Sequence, residues 1–194
     1  MDTQSTFKLH LEKIVPIEPI EWETVCNFTS VAEYRSKGII ERQGDATGNI
    51  YFMTSGIVRT FRVRDGREYT CNLYSTPRFI ANLNALILNQ PADLTIQAMA
   101  PTKIVAIKYK DANDLCDTLH KYEHVARIFL EQIIMQEVSR VKELTCFQPY
   151  ERFQNLMNDT PELMNLIPQK YIASYLGISP ESLSRMKAKI SAQI

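Results

Sequence analysis

The chain has 194 residues, equal numbers of basic and acidic side chains (22 each) and 45% hydrophobic residues. This length corresponds to one large domain or two small ones with a full apolar core, and the composition excludes disordered and collagen-like proteins. No apolar run approaches the roughly 18 residues of a membrane span and no secretory signal opens the chain, so we expect a cytoplasmic protein without a membrane partner.

The first part of the chain has the pattern of an antiparallel sheet. Five of the six glycines lie within residues 38–66, between short runs of strand-forming residues. Asp65-Gly66 separates "GIVRTFRV" from "REYTCNLY", which predicts a β-hairpin with a type I′ turn. Further runs, "LTIQAMA" and "KIVAIK", flank Pro101. These runs predict an antiparallel roll or barrel of about 110 residues.

From about residue 122 to residue 147 the apolar period changes to that of one long helix, free of glycine and proline. Two apolar stripes run along this helix. The first contains Ala126, Phe129 and Ile133, and the second contains Leu130, Ile134, Val138 and Val141. We expect the first stripe to pack on the roll and the second on the same helix of a second subunit. The alternative is a helix buried within a single chain.

The last part of the chain is helical throughout and ends in "IPQKYIASYLGISPESLSRMKAKI". A short apolar-faced helix ends at Gly177, and Ser179 followed by Pro180 predicts the start of a second helix. Leu183, Met186 and Ile190 form the inward face of this second helix. The pattern predicts a helix-turn-helix, in which the second helix enters the DNA major groove.

With these motifs the chain resembles the Crp/Fnr-type transcriptional regulators over essentially its whole length. The resemblance rests on "PQKYIASYLGISPESLSR", on "GDATGNIYFMTSGIVRTF", and on "FIANLNALILNQPADLTIQAMAPTKIVAI", which has the length of the phosphate-binding cassette. It implies an α+β fold: a cyclic-nucleotide-binding-like β-roll (a double-stranded β-helix) at 1–120, a dimerisation helix at 121–147 and a small all-α helix-turn-helix domain at 148–194. It also implies a homodimer, a pseudo-palindromic DNA operator, RNA polymerase as a further partner and a small-molecule effector.

The resemblance assigns base reading to Pro180, Glu181 and Arg185. Arg185 suits a bidentate contact to guanine, and Glu181 can accept from cytosine, whereas Pro180 allows only apolar contacts. A surface ion pair between Glu181 and Arg185 is the alternative for these two side chains. The candidates for DNA backbone contacts are Gln169, Lys170, Ser182, Ser184, Lys187 and Lys189. The usual β-hairpin wing is expected to be incomplete, which predicts weaker and more salt-sensitive DNA binding.

The residues that bind the effector in the family are not present at the matching positions of this chain. Family members that bind cyclic nucleotides have Gly-Glu where this chain has Ala81-Asn82, which is followed by Leu83. They have Arg-Ser or Arg-Thr where this chain has Ala92-Asp93. Because a carboxylate repels a phosphate, we expect cyclic AMP not to bind in the usual way and no cofactor to be present. The pocket then accepts another small ligand or none. Arg78 lies near the cassette and is expected at the surface.

No sequence motif points to an enzyme. "HKYEH" at residues 120–124 fits the H-x-x-E-H pattern of some zinc peptidases, but three fixed letters are a weak signal, and solvated helix residues are the preferred interpretation. The four cysteines are far apart and indicate reduced, half-buried thiols without a metal. We therefore predict a DNA-binding regulator. The alternative is a ligand-binding module whose helical domain binds a protein partner.

Overall fold

A computed structural model describes residues 2–75 and 77–191, apart from the side chains of residues 190 and 191, so the predicted inward position of Ile190 lies outside the described residues. The described part contains nine helices: α1 (Thr3–Glu12), α2 (Pro19–Phe28), α3 (Leu83–Leu88), α4 (Tyr109–Thr118), α5 (Lys121–Cys146), α6 (Pro149–Asp159), α7 (Leu163–Leu166), α8 (Gln169–Leu176) and α9 (Pro180–Ser191). It contains eight strands: β1 (Thr29–Tyr34), β2 (Ile39–Glu41), β3 (Asn49–Ser55), β4 (Ile57–Arg64), β5 (Arg67–Ser75), β6 (Arg78–Ile80), β7 (Thr95–Ala98) and β8 (Thr102–Lys108).

The strands form two four-stranded antiparallel sheets with the orders β1-β8-β3-β6 and β2-β7-β4-β5. Met53 and Ile104 of one sheet and Val58 and Ile96 of the other are buried in a common cluster. The apolar faces of both sheets therefore close on each other, which is the arrangement of a β-roll. The predicted α+β fold with an antiparallel roll is confirmed.

The predicted hairpin is also confirmed. Asp65 and Gly66 connect β4 to β5 with φ angles of 53° and 72°, as the two central residues of a type I′ turn require. Pro101 lies between β7 and β8, which belong to different sheets. The turn at Pro101 therefore carries the chain from one layer of the roll to the other.

Strand β5 buries polar side chains. Thr70 and Asn72 are each at most 6% exposed, whereas the aromatic Tyr69 is 50% exposed. The Asn72 amide donates to Glu137 of α5 at 3.2 Å, and the Thr70 hydroxyl accepts from Arg59 at 3.5 Å. Burial of these polar groups is tolerated because each has a hydrogen-bond partner.

Two N-terminal helices cover the outer face of the sheet that contains β3 and β8. Phe7 of α1 packs on Phe52 of β3 with ring centroids 5.0 Å apart, and Val25 of α2 joins the same cluster. These helices were not predicted from the sequence. They give the roll a second apolar layer outside the inter-sheet core.

Helix α5 follows the prediction closely. It extends from Lys121 to Cys146, against a predicted range of 122–147. Phe129 is buried and Ile133 half-buried, both in contact with the cluster that includes Ile50 of β3. The first apolar stripe of this helix therefore packs on the roll.

Helices α6 to α9 form a second apolar cluster. Phe153, Ile172 and Leu183 are each at most 1% exposed, and the cluster continues into the roll through Ile57 and Met99. The predicted boundary between 147 and 148 falls between α5 and α6, and the predicted incomplete wing lies outside the described residues. Within 2–75 and 77–191, no helix combines the length and the apolarity that a membrane crossing requires.

All four cysteines are free thiols. Cys26, Cys71 and Cys116 are half-buried, as predicted, whereas Cys146 is exposed at the end of α5. Burial raises the pKa of Cys26, Cys71 and Cys116.

We predict that Phe7→Ala lowers the free energy of unfolding by about 3–5 kcal/mol, as is typical for a buried phenylalanine. Leu9→Ala is the matched control, because Leu9 lies on the same helix but is 42% exposed. Its effect should stay within roughly 0.5 kcal/mol. Urea denaturation measures both. Equal midpoints for the two variants would show that α1 does not stabilise the roll.

Candidate functional site

The connection between α8 and α9 has the geometry of a helix-turn-helix. Gly177 has a φ of 69°, and the amides of Gly177 and Ile178 donate back to Ser174 and Ala173, which ends α8 in a Schellman motif. The Ser179 hydroxyl accepts the Ser182 amide at 3.2 Å and so caps α9. The two helices are thereby held at a fixed angle.

The three residues predicted to read bases are all exposed in the first half of α9. Arg185 donates to the Ser182 hydroxyl at 3.3 Å, and within the described residues no ion pair joins it to Glu181. Hydrogen bonding by Ser179 lowers the pKa of Glu181. The exposed face, which includes Pro180, thus presents one carboxylate and one guanidinium that are not paired with each other.

The residues predicted to contact the DNA backbone lie along the surfaces of α8 and α9. Four of them are exposed, namely Gln169, Lys170, Ser184 and Lys189. The other two, Ser182 and Lys187, are half-buried. The Lys170 ammonium lies 4.7 Å from the ring centroid of Tyr171. An exposed arginine that sequence reasoning missed, Arg67 at the hairpin tip, lines the same groove as Lys170 and Pro180.

Two arginines hold the carboxyl end of α8. Arg152 donates from Nε and Nη2 to the Leu176 carbonyl at 3.1 and 2.9 Å, and from Nη1 to the Phe147 carbonyl at 2.7 Å. Arg140 of α5 donates to the Tyr175 carbonyl and lies 3.8 Å from the centroid of its ring. Cations at this end of a helix complement its dipole.

The body of α8 rests on the roll. Ser174 accepts the Thr70 amide of β5 at 2.9 Å and donates to the Glu68 carbonyl at 3.3 Å. Arg59 of β4 is fully buried, with its guanidinium 3.6 Å from the Tyr171 ring centroid. Sequence reasoning missed these contacts because they join positions about one hundred residues apart.

A cavity of about 390 Å³ lies between the roll and α5. Four of the five predicted pocket residues line it: Ala81, Asn82, Leu83 and Asp93. Ala92 does not line this cavity; it is buried, and its amide and carbonyl bond to Asp45 and Gly44. The structure therefore gathers most of the predicted pocket in one place.

The hydrogen-bonding groups of the Asn82 side chain are all engaged within the protein. Its amide nitrogen donates to a Glu41 carboxylate oxygen and to the Leu94 carbonyl (2.9 Å), and its carbonyl accepts the Leu94 amide at 3.0 Å. Glu41 also accepts the Tyr51 hydroxyl at 2.9 Å. Asn82 is 1% exposed. Since both of its N–H groups are engaged, it has no donor left for a ligand.

Asp93 is paired inside the protein as well. Its carboxylate lies 2.6 Å from Arg62 Nη2, and this bond raises the pKa of Arg62. Glu137 of α5 also lines the cavity, so Arg62 faces two carboxylates there. Among the described charged residues of the lining, acids outnumber bases, which disfavours a phosphate group.

The second stripe of α5 is open to solvent. Leu130 is 38% exposed, and Ile134, Val138 and Val141 are 58%, 58% and 60% exposed. Met135 and Leu144 extend this apolar surface at 67% and 46%. Contiguous exposed apolar surface of this kind marks an interaction site.

The histidines of "HKYEH" are engaged with neighbouring side chains. His120 lies 3.7 Å from Glu123, and His124 Nδ1 is 2.9 Å from Arg127. The described part of the chain contains no cluster of three His, Cys, Asp or Glu side chains arranged to hold a metal ion.

Comparison with known proteins identifies the roll. Residues 31–119 match the cyclic nucleotide-binding domain family. No curated protein sequence matches the chain significantly. The matched residues extend from β1 to just past the end of α4.

Several solved structures share the whole arrangement. FixK2 from Bradyrhizobium japonicum is 15% identical, with a TM-score of 0.69 over 85% of each chain. The c-di-GMP responsive regulator CLP of Xanthomonas campestris is 18% identical, with a TM-score of 0.68 over 88% of this chain and 90% of its own. A protein from Eubacterium rectale assigned to the Crp/Fnr family is 15% identical, with a TM-score of 0.71 over 91% and 85%. The chain therefore has the fold of Crp/Fnr-type regulators, and the resemblance found in the sequence is confirmed for the fold.

We predict that Asn82→Ala lowers the free energy of unfolding by about 2–4 kcal/mol, because it leaves the buried Glu41 carboxylate and the Leu94 backbone groups short of partners. Asn84→Ala is the matched control, since Asn84 lies two residues further along, in α3, and is exposed. Chemical denaturation measures the two variants. A loss of similar size in both would contradict the structural role of Asn82.

Proposed function

We propose that the protein is a homodimeric, cytoplasmic, DNA-binding transcriptional regulator of the Crp/Fnr type, acting on double-stranded DNA and on RNA polymerase. The observation that carries the proposal is the helix-turn-helix of α8 and α9, which presents Glu181 and Arg185 at an exposed helix start. Fold likeness supports the same assignment. The exposed charge at α9 suits base edges in the major groove.

The apolar stripe on α5 supports dimerisation. In a homodimer of this kind, Ile134 and Val138 of one subunit pack against the same helix of the other. Each buried side chain of this size contributes about 1.5–3 kcal/mol. Pairing through α5 also sets the separation of the two α9 helices, which must be about 34 Å for successive major grooves.

We propose further that cyclic AMP does not bind in the usual way. Asn82 and Asp93 occupy positions where phosphate and ribose contacts are expected, and both are bonded within the protein. A different small molecule in the cavity would contact α5 through Ile133 and Glu137. Such a ligand changes DNA binding only to the extent that it favours one arrangement of α5 over another.

We predict that Arg185→Ala abolishes selection of a specific DNA sequence. The wild-type protein should enrich a pseudo-palindrome from a randomised duplex library, and loss of a bidentate arginine–guanine contact costs about 1–3 kcal/mol per half-site. Arg42→Ala is the matched control, because Arg42 is an exposed arginine of the roll, directly after β2, and lies outside the helix-turn-helix. Circular dichroism verifies that both variants fold.

Two results would count against DNA recognition by α9. One is selection of the same sequence by Arg185→Ala with unchanged affinity. The other is no enrichment by the wild-type protein, with or without added small molecules, which would favour a helical domain that binds a protein partner.

We predict that Ile134→Glu converts the dimer to a monomer, because a carboxylate would be buried at the apolar α5 interface without a partner. Ile20→Glu is the matched control, since Ile20 is a similarly exposed helical isoleucine, at 69%, on α2. Sedimentation equilibrium gives the mass of each. A wild-type monomer, or an Ile134→Glu dimer, would refute pairing through this stripe.

A further inference from the structure

A second cavity lies where the roll, α5 and the C-terminal helices meet. Its volume is about 300 Å³, which is within the size range of small-molecule sites. Each part of the chain contributes to its lining: Arg78 from β6, Arg140 from α5 and Arg152 from α6. Arg78 is half-buried here, and not at the surface as the sequence analysis expected.

Two of these three arginines have no acidic partner. Arg152 is 9% exposed and donates only to the carbonyls of Phe147 and Leu176. Three of its five N–H groups are used, which leaves two without a partner in the described part of the protein. Arg78 donates to the Gln136 amide at 3.4 Å and lies 5.3 Å from the Tyr74 ring centroid. No carboxylate of the described residues pairs with either guanidinium.

The remaining charges at the cavity do not neutralise this pair. Glu143 is engaged by Arg140 at 3.3 Å. Asp159 lies in the lining at the end of α6, so the lining has three basic and two acidic side chains. A positive charge that is largely removed from water without a counter-ion is unfavourable, and an anion that reaches it removes this cost.

We propose that this cavity is a binding site for a small anionic ligand with a phosphate or carboxylate group. The planar fork of a guanidinium suits both groups, because two parallel N–H donors match two oxygens. The Ser139 hydroxyl also lines the cavity and can bond to the rest of such a ligand, whereas the Thr160 hydroxyl donates to the Leu156 carbonyl at 3.3 Å. The site is distinct from the cavity lined by Asn82 and Asp93.

An anion between Arg78 and Arg152 would connect the roll to the C-terminal helices. Arg152 already holds the Phe147 carbonyl at the break between α5 and α6, and the Leu176 carbonyl at the end of α8. Occupation of the cavity therefore favours the arrangement in which α8 rests on β5. The binding itself does not depend on whether α9 recognises DNA.

Isothermal titration calorimetry at constant ionic strength tests the site, with inorganic phosphate and succinate as probes. We expect saturable 1:1 binding by the wild-type protein, and the tighter probe identifies the preferred anionic group. Arg78→Gln should weaken binding about 10- to 100-fold, the usual effect of losing a hydrogen bond to a charged group. Arg62→Gln is the control, because Arg62 lines the other cavity. This variant should bind both probes with the affinity of the wild-type protein.

Arginine modification by phenylglyoxal, followed by mass spectrometry, provides a test on the unmutated chain. Phosphate should slow the modification of Arg78 and leave that of the exposed Arg64 unchanged. The proposal is overturned if neither probe binds saturably, if Arg78→Gln binds as tightly as Arg62→Gln, or if Arg78 reacts at the same rate with and without the anions.

Discussion

The attachment of α8 to the rest of the molecule is the constraint on which the arrangement of the chain depends. Arg140 and Arg152 bind the carbonyl groups at its carboxyl end, and Arg59 packs under the Tyr171 ring in its middle. The unpaired carbonyls at a helix end carry partial negative charge, so guanidinium groups stabilise them more than neutral donors would. The position of α9 follows from that of α8, because Gly177 and Ser179 fix the turn between them.

In the cavity between the roll and α5, the polar side chains at the predicted pocket positions have partners inside the protein. Asn82 joins Glu41 to the Leu94 backbone, and Asp93 pairs with Arg62. These contacts stabilise the loop around α3 without any ligand. A molecule that enters would have to break them or use the apolar walls, and this cost is the reason for the proposal that cyclic AMP does not bind there in the usual way.

Local sequence signals predicted the elements that depend on neighbours along the chain. Asp65-Gly66 predicted its turn from the backbone angles it allows, and the two stripes of α5 followed from helical period alone. The same reasoning could not find α1 or the partners of Arg59, because these depend on distant segments that meet only in the fold. Arg78 was expected at the surface but is half-buried, because α5 packs against the roll and Gln136 of α5 bonds to it.

Helix α5 connects the two cavities, the apolar stripe and the helix-turn-helix. Arg140 points toward α8, while Val138 and Val141, on other faces of the same turns, point toward solvent. A second subunit packed on Val138 and Val141 would restrict the rotation of α5 about its axis, and thereby the position of Arg140. Since Arg140 holds the Tyr175 carbonyl, that restriction would extend to α8 and α9. In this arrangement dimer pairing, ligand binding and the orientation of α9 are linked through one rigid helix.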